Sequence, residues 1–127
     1  MGEPDWDTLA VGDEDLETSR GFAAFVRGRV RNSTVGRELA WLSVRAGFAV
    51  RTVEPIAVLF RDFALADQIL GLRRNSALAV RAGELDDARV EGWLARLADG
   101  PLVAGFTFYL VTAVLPDGTT RRPRQGG

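Results

Sequence analysis

The chain has 127 residues, of which 46% are hydrophobic, and a formal net charge of −1. This size and composition predict one globular domain, and no apolar run approaches the roughly 20 residues that cross a bilayer. Cys and His are absent, and all 16 basic residues are Arg. The composition therefore excludes disulfides and the usual zinc, iron and copper sites, together with catalysis by Lys, His or Cys.

The charge balance also bears on partners and location. A net charge of −1 gives no electrostatic footprint for nucleic acid. The acidic N-terminus lacks the features of a signal peptide, so we expect a cytoplasmic protein with no membrane contact and no bound metal. The one basic cluster, "RRPR" at 121–124, falls in a tail (116–127) that we expect to be disordered.

Two helices are predicted in the first half of the chain. Residues 13–30 have acids in the first turn and an approximate apolar stripe. Residues 32–48 have a clearer stripe, with Asn32 or Ser33 as N-cap and Gly47 as the residue that ends the helix. Residues 48–60, rich in β-branched and aromatic residues, then predict a strand, in which Pro55 favours an edge position or a bulge.

The second half predicts two more helices and a strand. Asp62 caps one long helix over 63–83, in which Gly71 is a weak point, and Asp86 caps another that ends at Gly100. The segment 101–118 is the most strand-like of the chain and closes on a Pro-Asp-Gly turn. The predicted order is therefore α, α, β, α, α, β.

The last predicted strand indicates that this sheet is incomplete. Phe106, Phe108 and Leu110 occupy one face, while Tyr109, Val111 and Ala113 occupy the other, so both faces are apolar. An edge strand facing water alternates or carries charges. This strand is expected to need a neighbour on each side, yet the chain offers one candidate.

Four phrases of the sequence resemble one family. They are "EPDW", "VRNSTVGRELAWLSVRAGF", "VEPIAVLFRDFALADQILGLRRNSALAVRAGELDDARVEGWLARLADG" and "GFTFYLVTAV". Together they are similar to the C-terminal part of class I S-adenosylmethionine-dependent methyltransferases, within the bacterial group related to the ubiquinone and menaquinone biosynthesis enzymes. The resemblance covers about residues 3–114 and includes no catalytic signature.

The resemblance implies an α/β fold, namely the C-terminal portion of a doubly wound Rossmann-like sheet with two strands and about four helices. Residues 1–115 would form a partial methyltransferase-like domain. In it, 48–60 would be the sixth strand and 103–114 the antiparallel seventh, inserted between its neighbours. Residues 62–99 would be a helical insertion over the substrate side.

The resemblance also implies a set of candidate site residues. "EPDW" would lie just past the end of the fifth strand, where open α/β sheets bind ligands, so Glu3, Asp5 and Trp6 would line a substrate pocket. Arg31 and Asn32 reach toward the same pocket in this interpretation, with an N-cap as the alternative role of Asn32. Phe63 would shape an apolar cavity, with core packing as its alternative. No catalytic residue is assigned.

The chain departs from the family at the cofactor. The family grips S-adenosyl-L-methionine with a Gly-rich GxGxG turn and an acidic residue that binds the ribose. Neither is present here, so we expect that this chain alone neither binds the cofactor nor transfers a methyl group. Its partners would be a cofactor-binding half encoded elsewhere and a small-molecule substrate. The alternative is a non-catalytic α+β interaction module that homodimerises through the 103–114 strand.

Overall fold

The computed structural model describes residues 1–116. The chain order is β1 (Gly2–Val11), α1 (Leu16–Arg29), α2 (Val35–Arg45), β2 (Ala49–Phe60), α3 (Phe63–Leu70), α4 (Leu72–Arg81), α5 (Asp87–Asp99) and β3 (Ala104–Val114). Apart from residue 116, the expected disordered tail and its "RRPR" cluster lie outside the described residues. No helix within residues 1–116 is long and apolar enough to cross a membrane.

The three strands form one sheet in the order β1-β3-β2, and both pairings are antiparallel. The predicted fold class, a Rossmann-like portion with two strands and about four helices, is therefore wrong. The described chain has three strands and five helices, and no two neighbouring strands are parallel. The strand missed was β1, because Glu3, Pro4 and Asp5 have low strand propensity; pairing with β3 outweighs that local preference.

β3 occupies the centre of the sheet. The prediction that this strand needs a neighbour on each side is confirmed, since it pairs with β1 along one edge and with β2 along the other. Pro55 lies in β2 at the edge of the sheet, as its missing N–H predicted. Because both edges of β3 are occupied within the chain, a homodimer formed by pairing of this strand has no open edge to use.

The single helix predicted over 63–83 is divided at Gly71, which has a left-handed backbone with φ of 65°. The Asn75 side-chain amide donates to the Leu70 carbonyl over 2.8 Å and satisfies the end of α3. A Cβ at Gly71 would meet that same amide nitrogen at 2.7 Å. A residue other than glycine would therefore clash there and strain the backbone.

The other helix boundaries follow local capping. Asp62 and Asp86 accept backbone N–H groups three residues on, as predicted. The N-cap predicted for α2 at Asn32 or Ser33 is wrong, because Thr34 holds that position. The Asn32 side-chain oxygen instead accepts from the Thr34 N–H and tightens the turn before the helix.

Helices pack on both faces of the sheet, but more of them pack on one face than on the other. One face, called here the core face, carries Ala104 and Phe106 and packs on α1, α3 and α5. The buried cluster there consists of Leu9, Val11, Phe22, Ala23, Val26, Phe60, Ala66, Leu70, Leu72, Trp93, Leu97, Leu102 and Ala104. This cluster holds the helices that follow β1 and β2 against the sheet.

The opposite face, called here the α2 face, is covered by one helix. Side chains alternate along a strand, so Gly105, Thr107, Tyr109 and Val111 point away from the core face. Val111 is buried outside the core cluster, and α2, which contacts all three strands, buries its own Leu39. We conclude that α2 lies on this face, over Val111.

Candidate functional site

The pairing of β1 with β3 is interrupted at the candidate site. It runs from Gly2 to Asp5 and resumes at Ala10, so the residues between them are bulged out of the ladder. Within the bulge, the Trp6 N–H donates to the Ser33 carbonyl over 2.8 Å. Bulges re-aim side chains and are over-represented next to functional sites.

A second interaction fixes the bulge from inside the sheet. The Thr8 hydroxyl accepts the Thr107 N–H over 2.7 Å and donates to the Asp5 carbonyl over 2.6 Å. The Thr8 hydroxyl thus accepts the β3 N–H that would otherwise lack a backbone acceptor where the ladder is interrupted. Residues 3–6, expected past the end of a strand, lie inside β1 and lead into this bulge, which begins after Asp5.

Asp5 is the best-defined polar group of the bulge. Its carboxylate is 1% exposed and accepts two N–H groups from the Arg37 guanidinium, one of them over 3.0 Å, as well as the Asp7 N–H over 3.1 Å. Hydrogen bonding to Asp5 raises the pKa of Arg37, against the opposing effect of desolvation. A bidentate pair of this kind fixes both side chains.

α2 approaches β1 closely enough for this pair because of Gly36. A Cβ at that position would lie 2.7 Å from the Glu3 carbonyl oxygen and 2.8 Å from Pro4. The missing side chain lets the first turn of the helix rest on the β1 backbone. Arg37, the next residue, then reaches Asp5.

Asp7 forms a second, more exposed polar contact. It accepts the Ser33 hydroxyl over 2.9 Å and lies 3.7 Å from the Arg27 guanidinium. The bulge therefore presents two carboxylates, each held by an arginine from a different helix. Only the exposed Asp7 is placed to orient a polar group of a ligand, because the Asp5 carboxylate is buried and already hydrogen-bonded to Arg37.

Trp6 forms the apolar side of the same segment. Its ring lies 4.6 Å from that of Phe106, which in turn lies 6.2 Å from Phe60. Trp6 is partly buried against the core cluster, so it joins the bulge to the interior of the protein. Offset aromatic pairs at these distances stabilise a fixed ring orientation.

The other sequence-predicted residues are distributed around this segment. Glu3 and Arg31 are exposed, and the Asn32 side chain bonds to Thr34 and Glu38. Phe63 packs against the core cluster, with the Arg73 guanidinium 5.0 Å above its ring. The structure thus places Asp5 and Trp6 at the bulge. Asn32 precedes Ser33, which is hydrogen-bonded to the bulge, whereas Phe63 lies apart from it on α3.

Sequence reasoning missed three residues that complete this segment. Ser33 was considered only as an N-cap, and Arg37 and Thr8 were not singled out at all. One usable signal was Gly36 on the inward face of a helix, since a glycine there indicates a close approach of another backbone.

A separate group of ion pairs joins the loop after β1 to α5. Arg96 donates to Asp13 over 2.9 Å, and Arg89 donates to Asp15 over 2.6 Å and to Glu17 over 3.0 Å. Burial acts to raise the pKa of Asp13, but hydrogen bonds from Arg96 and the Asp15 N–H lower it overall. Hydrogen bonds from Arg89, then from Thr18, lower the pKa of Asp15 well below its usual range. These pairs clamp α1 to α5.

Replacing Asp15 by Asn is expected to make stability less dependent on pH. Asn still caps α1 but cannot pair with Arg89. Because folding lowers the pKa of Asp15 from 3.8, its stabilisation is complete above that value and is lost as the pH falls toward the folded-state pKa. Thermal melts should therefore show a lower Tm for the variant at about pH 7, and a gap that closes toward about pH 2.

The matching variant is Arg89→Gln, which removes the partner of Asp15 and leaves the cap in place. It should show a smaller gap that also closes toward low pH, because hydrogen bonds from Thr18 still lower the pKa of Asp15. In the double variant the pH-dependent losses of the two single variants should not add, because both remove the same Asp15–Arg89 pair. A gap between wild type and Asp15→Asn that stays constant over this pH range would contradict the prediction.

No group of three or more acidic residues able to hold a metal ion occurs within residues 1–116. The bulge segment carries carboxylates, hydroxyls and an indole ring, groups suited to hydrogen bonding and stacking rather than to metal coordination.

The comparisons with known proteins give one relative. The chain is 51% identical over 114 residues to the uncharacterized 37.1 kDa protein in transposon TN4556 of Streptomyces fradiae. The match covers 89% of this chain and 33% of the relative, so the chain spans about a third of that protein's length. No family model matches the chain, and no solved structure matches it.

Proposed function

We propose that this chain is the substrate-side segment of an S-adenosylmethionine-dependent methyltransferase that acts on a small metabolite, and that it is inactive alone. One observation carries the proposal: β3 lies antiparallel between β1 and β2. The predicted two-strand Rossmann-like portion is wrong, but a reversed last strand between two neighbours is one detail of the resemblance that this sheet shares. The assignment of the methyl acceptor stays open.

The outer edge of β1 is where the rest of such an enzyme would join. Within the described chain β1 pairs with β3 on one side only, and most of its other edge meets no strand. An unpaired strand edge is a template for a further strand. The length of the Streptomyces fradiae relative, of which this chain matches 33%, is consistent with a segment that works inside a larger protein.

The bulge would then serve the substrate. Trp6 offers an apolar surface, while Asp7 and Ser33 offer a partly exposed pair of hydrogen-bonding groups beside it. Methyl transfer depends chiefly on alignment of the attacking atom with the methyl group. Residues held by arginines and by a backbone contact to Ser33 are suited to that positioning role.

The test compares this chain with the full-length Streptomyces fradiae relative by calorimetric titration with S-adenosyl-L-methionine. We expect micromolar binding by the relative and none by this chain. A version of the relative that lacks the matched 114 residues tests whether cofactor binding resides outside the segment that this chain matches. Absence of binding by the full-length relative, or micromolar binding by this chain alone, would overturn the proposal.

A further inference from the structure

Within residues 1–116, one end of the α2 face of the sheet is bare. α2 covers the end near Val111, whereas at the other end Leu59, Gly105 and Ala10 lie side by side on the three strands. They line a shallow depression of about 480 Å³ whose lining residues carry no charge. Leu59 is 59% exposed there, and Val103, which also lines it, is 50% exposed. A sheet face in contact with water is normally polar, so we expect this end to be covered.

The outward side of α2 does not continue this apolar surface. It carries Glu38 and Arg45, and the Arg45 guanidinium lies 5.3 Å above the Trp41 ring. Glu38 accepts the Thr34 hydroxyl over 2.6 Å. Charged side chains and an aromatic ring under a guanidinium are typical of a solvated helix face. The surface that lacks a cover is therefore the depression on the sheet, and not the helix beside it.

The bare end has the dimensions of one helix. It spans three strands that are about 4.8 Å apart, and about four residues along each strand, or roughly 13 Å. An α-helix with its side chains is about 10 to 12 Å wide. α2 already covers the neighbouring end of the same face, and a layer of helices packed on a sheet is the usual way to bury such a face. The uncharged lining fits the apolar side of a second helix.

The area indicates that this helix is held in place by more than the depression. The bare end measures roughly 200 Å². That is about a quarter of the roughly 800 Å² per partner in a stable interface between separate proteins. A separate partner must offset the full loss of its translational and rotational freedom. A segment already held nearby has an effective concentration in the millimolar range, so a much smaller contact is sufficient.

The depression also reaches the edge at which a larger protein would join. Ala10, Val11 and Gly12 at the end of β1 line it, and the outer edge of β1 is the proposed junction with the rest of the enzyme. A segment that continues from that edge enters the depression without crossing the sheet. The Streptomyces fradiae relative contains such additional chain, because the 114 matched residues are 33% of its length.

We propose that the depression is the docking site of one helix from the remaining part of the larger protein, and that the uncharged side of this helix packs beside α2. The inference rests on the proposed function in one respect, namely that this chain works inside a larger protein. It adds where the two parts meet besides the edge of β1, and which kind of surface the other part presents.

A thiol placed in the depression reports whether the depression is covered. The chain has no cysteine, so Leu59→Cys carries a single thiol, and a cysteine at the aligned position is introduced into the full-length relative. Alkylation by iodoacetamide is followed at this position by mass spectrometry. We expect it to be at least about a hundredfold slower in the relative than in this chain, because a covered thiol reacts only when its cover opens.

Two further variants control the measurement. Leu16→Cys on α1 is at a similarly exposed position, 53%, on a helix that packs against the core face, so its alkylation should be fast in both proteins. Ala57→Cys is a second exposed position that lines the depression and repeats the test if the relative does not fold with cysteine at the position of Leu59. Circular dichroism checks the fold of every variant.

Three results would overturn the proposal. Equal alkylation rates at the position of Leu59 in the two proteins would mean that the depression is bare in the longer protein too. Slow alkylation in this chain alone would place the cover within it or, if ultracentrifugation shows a dimer, in a second copy. Equal protection at the position of Leu16 would indicate general shielding. None of these results depends on cofactor binding, so a relative that protects the thiol but does not bind S-adenosyl-L-methionine would contradict the proposed function alone.

Discussion

Replacing Trp93 by alanine is expected to lower the free energy of unfolding by about 4 kcal/mol. Trp93 is completely buried on α5, with its ring 5.2 Å from that of Phe22 on α1. Its indole N–H donates to the Ser19 hydroxyl over 2.9 Å. The alanine variant loses the buried apolar area of the indole ring and leaves a large cavity between the two helices. It also leaves the buried Ser19 hydroxyl without its hydrogen-bond donor.

The phenylalanine variant separates these contributions. Trp93→Phe keeps most of the ring and loses the hydrogen bond to Ser19, so we expect it to cost about 1 to 2 kcal/mol. Urea titration of both variants measures the difference directly. If alanine costs no more than phenylalanine, the contact of α5 with α1 contributes little packing energy, and α5 is not part of the core.

Features that depend on neighbours in sequence were predicted well. Asp62 and Asp86 were identified as N-caps, and Gly47 follows α2 with a positive φ as expected of a terminating glycine. These features need only a backbone N–H a few residues away or one unusual backbone angle, so the local sequence determines them. The central position of β3 was also predicted, because apolar residues on both of its faces indicate burial on both sides.

Features that depend on distant partners were not predicted. β1 begins with residues of low strand propensity and forms because β3 pairs with it about a hundred residues later in the chain. Trp41 and Trp93 both lie on helices that the sequence predicts, yet one is 47% exposed and the other fully buried. Periodicity alone does not tell which helix face meets the sheet.

The candidate site shows the same division. Asp5 and Trp6 were selected because the family resemblance would place "EPDW" just past the end of a strand, where open α/β sheets bind ligands. Arg37, which controls the environment of Asp5, was not selected, because it lies 32 residues away on another element. The sequence thus marked the segment but gave no indication that its buried carboxylate already had a partner.

Replacing Arg37 by methionine is expected to destabilise the protein by about 3 kcal/mol. Asp5 is 1% exposed, and without the guanidinium it retains only the N–H of Asp7 as a hydrogen-bond donor. An unpaired buried carboxylate is costly, although the half-exposed position of Arg37 lets some water reach the gap. Urea unfolding measures the loss, and the exposed Arg20 on α1, replaced by methionine, is the matched control with an expected change below about 0.5 kcal/mol.

The double variant Asp5→Asn, Arg37→Met tests whether the Asp5 carboxylate has a structural role in holding α2 on the bulge. Without a buried charge, it should recover part of the stability lost in Arg37→Met, because the amide costs less to bury unpaired than the carboxylate. Recovery would assign Asp5 to holding α2 on the bulge, so that Trp6, Asp7 and Ser33 remain to contact a ligand. If Arg37→Met alone costs less than about 0.5 kcal/mol, the buried carboxylate does not depend on Arg37, and the pair does not hold α2 on the bulge.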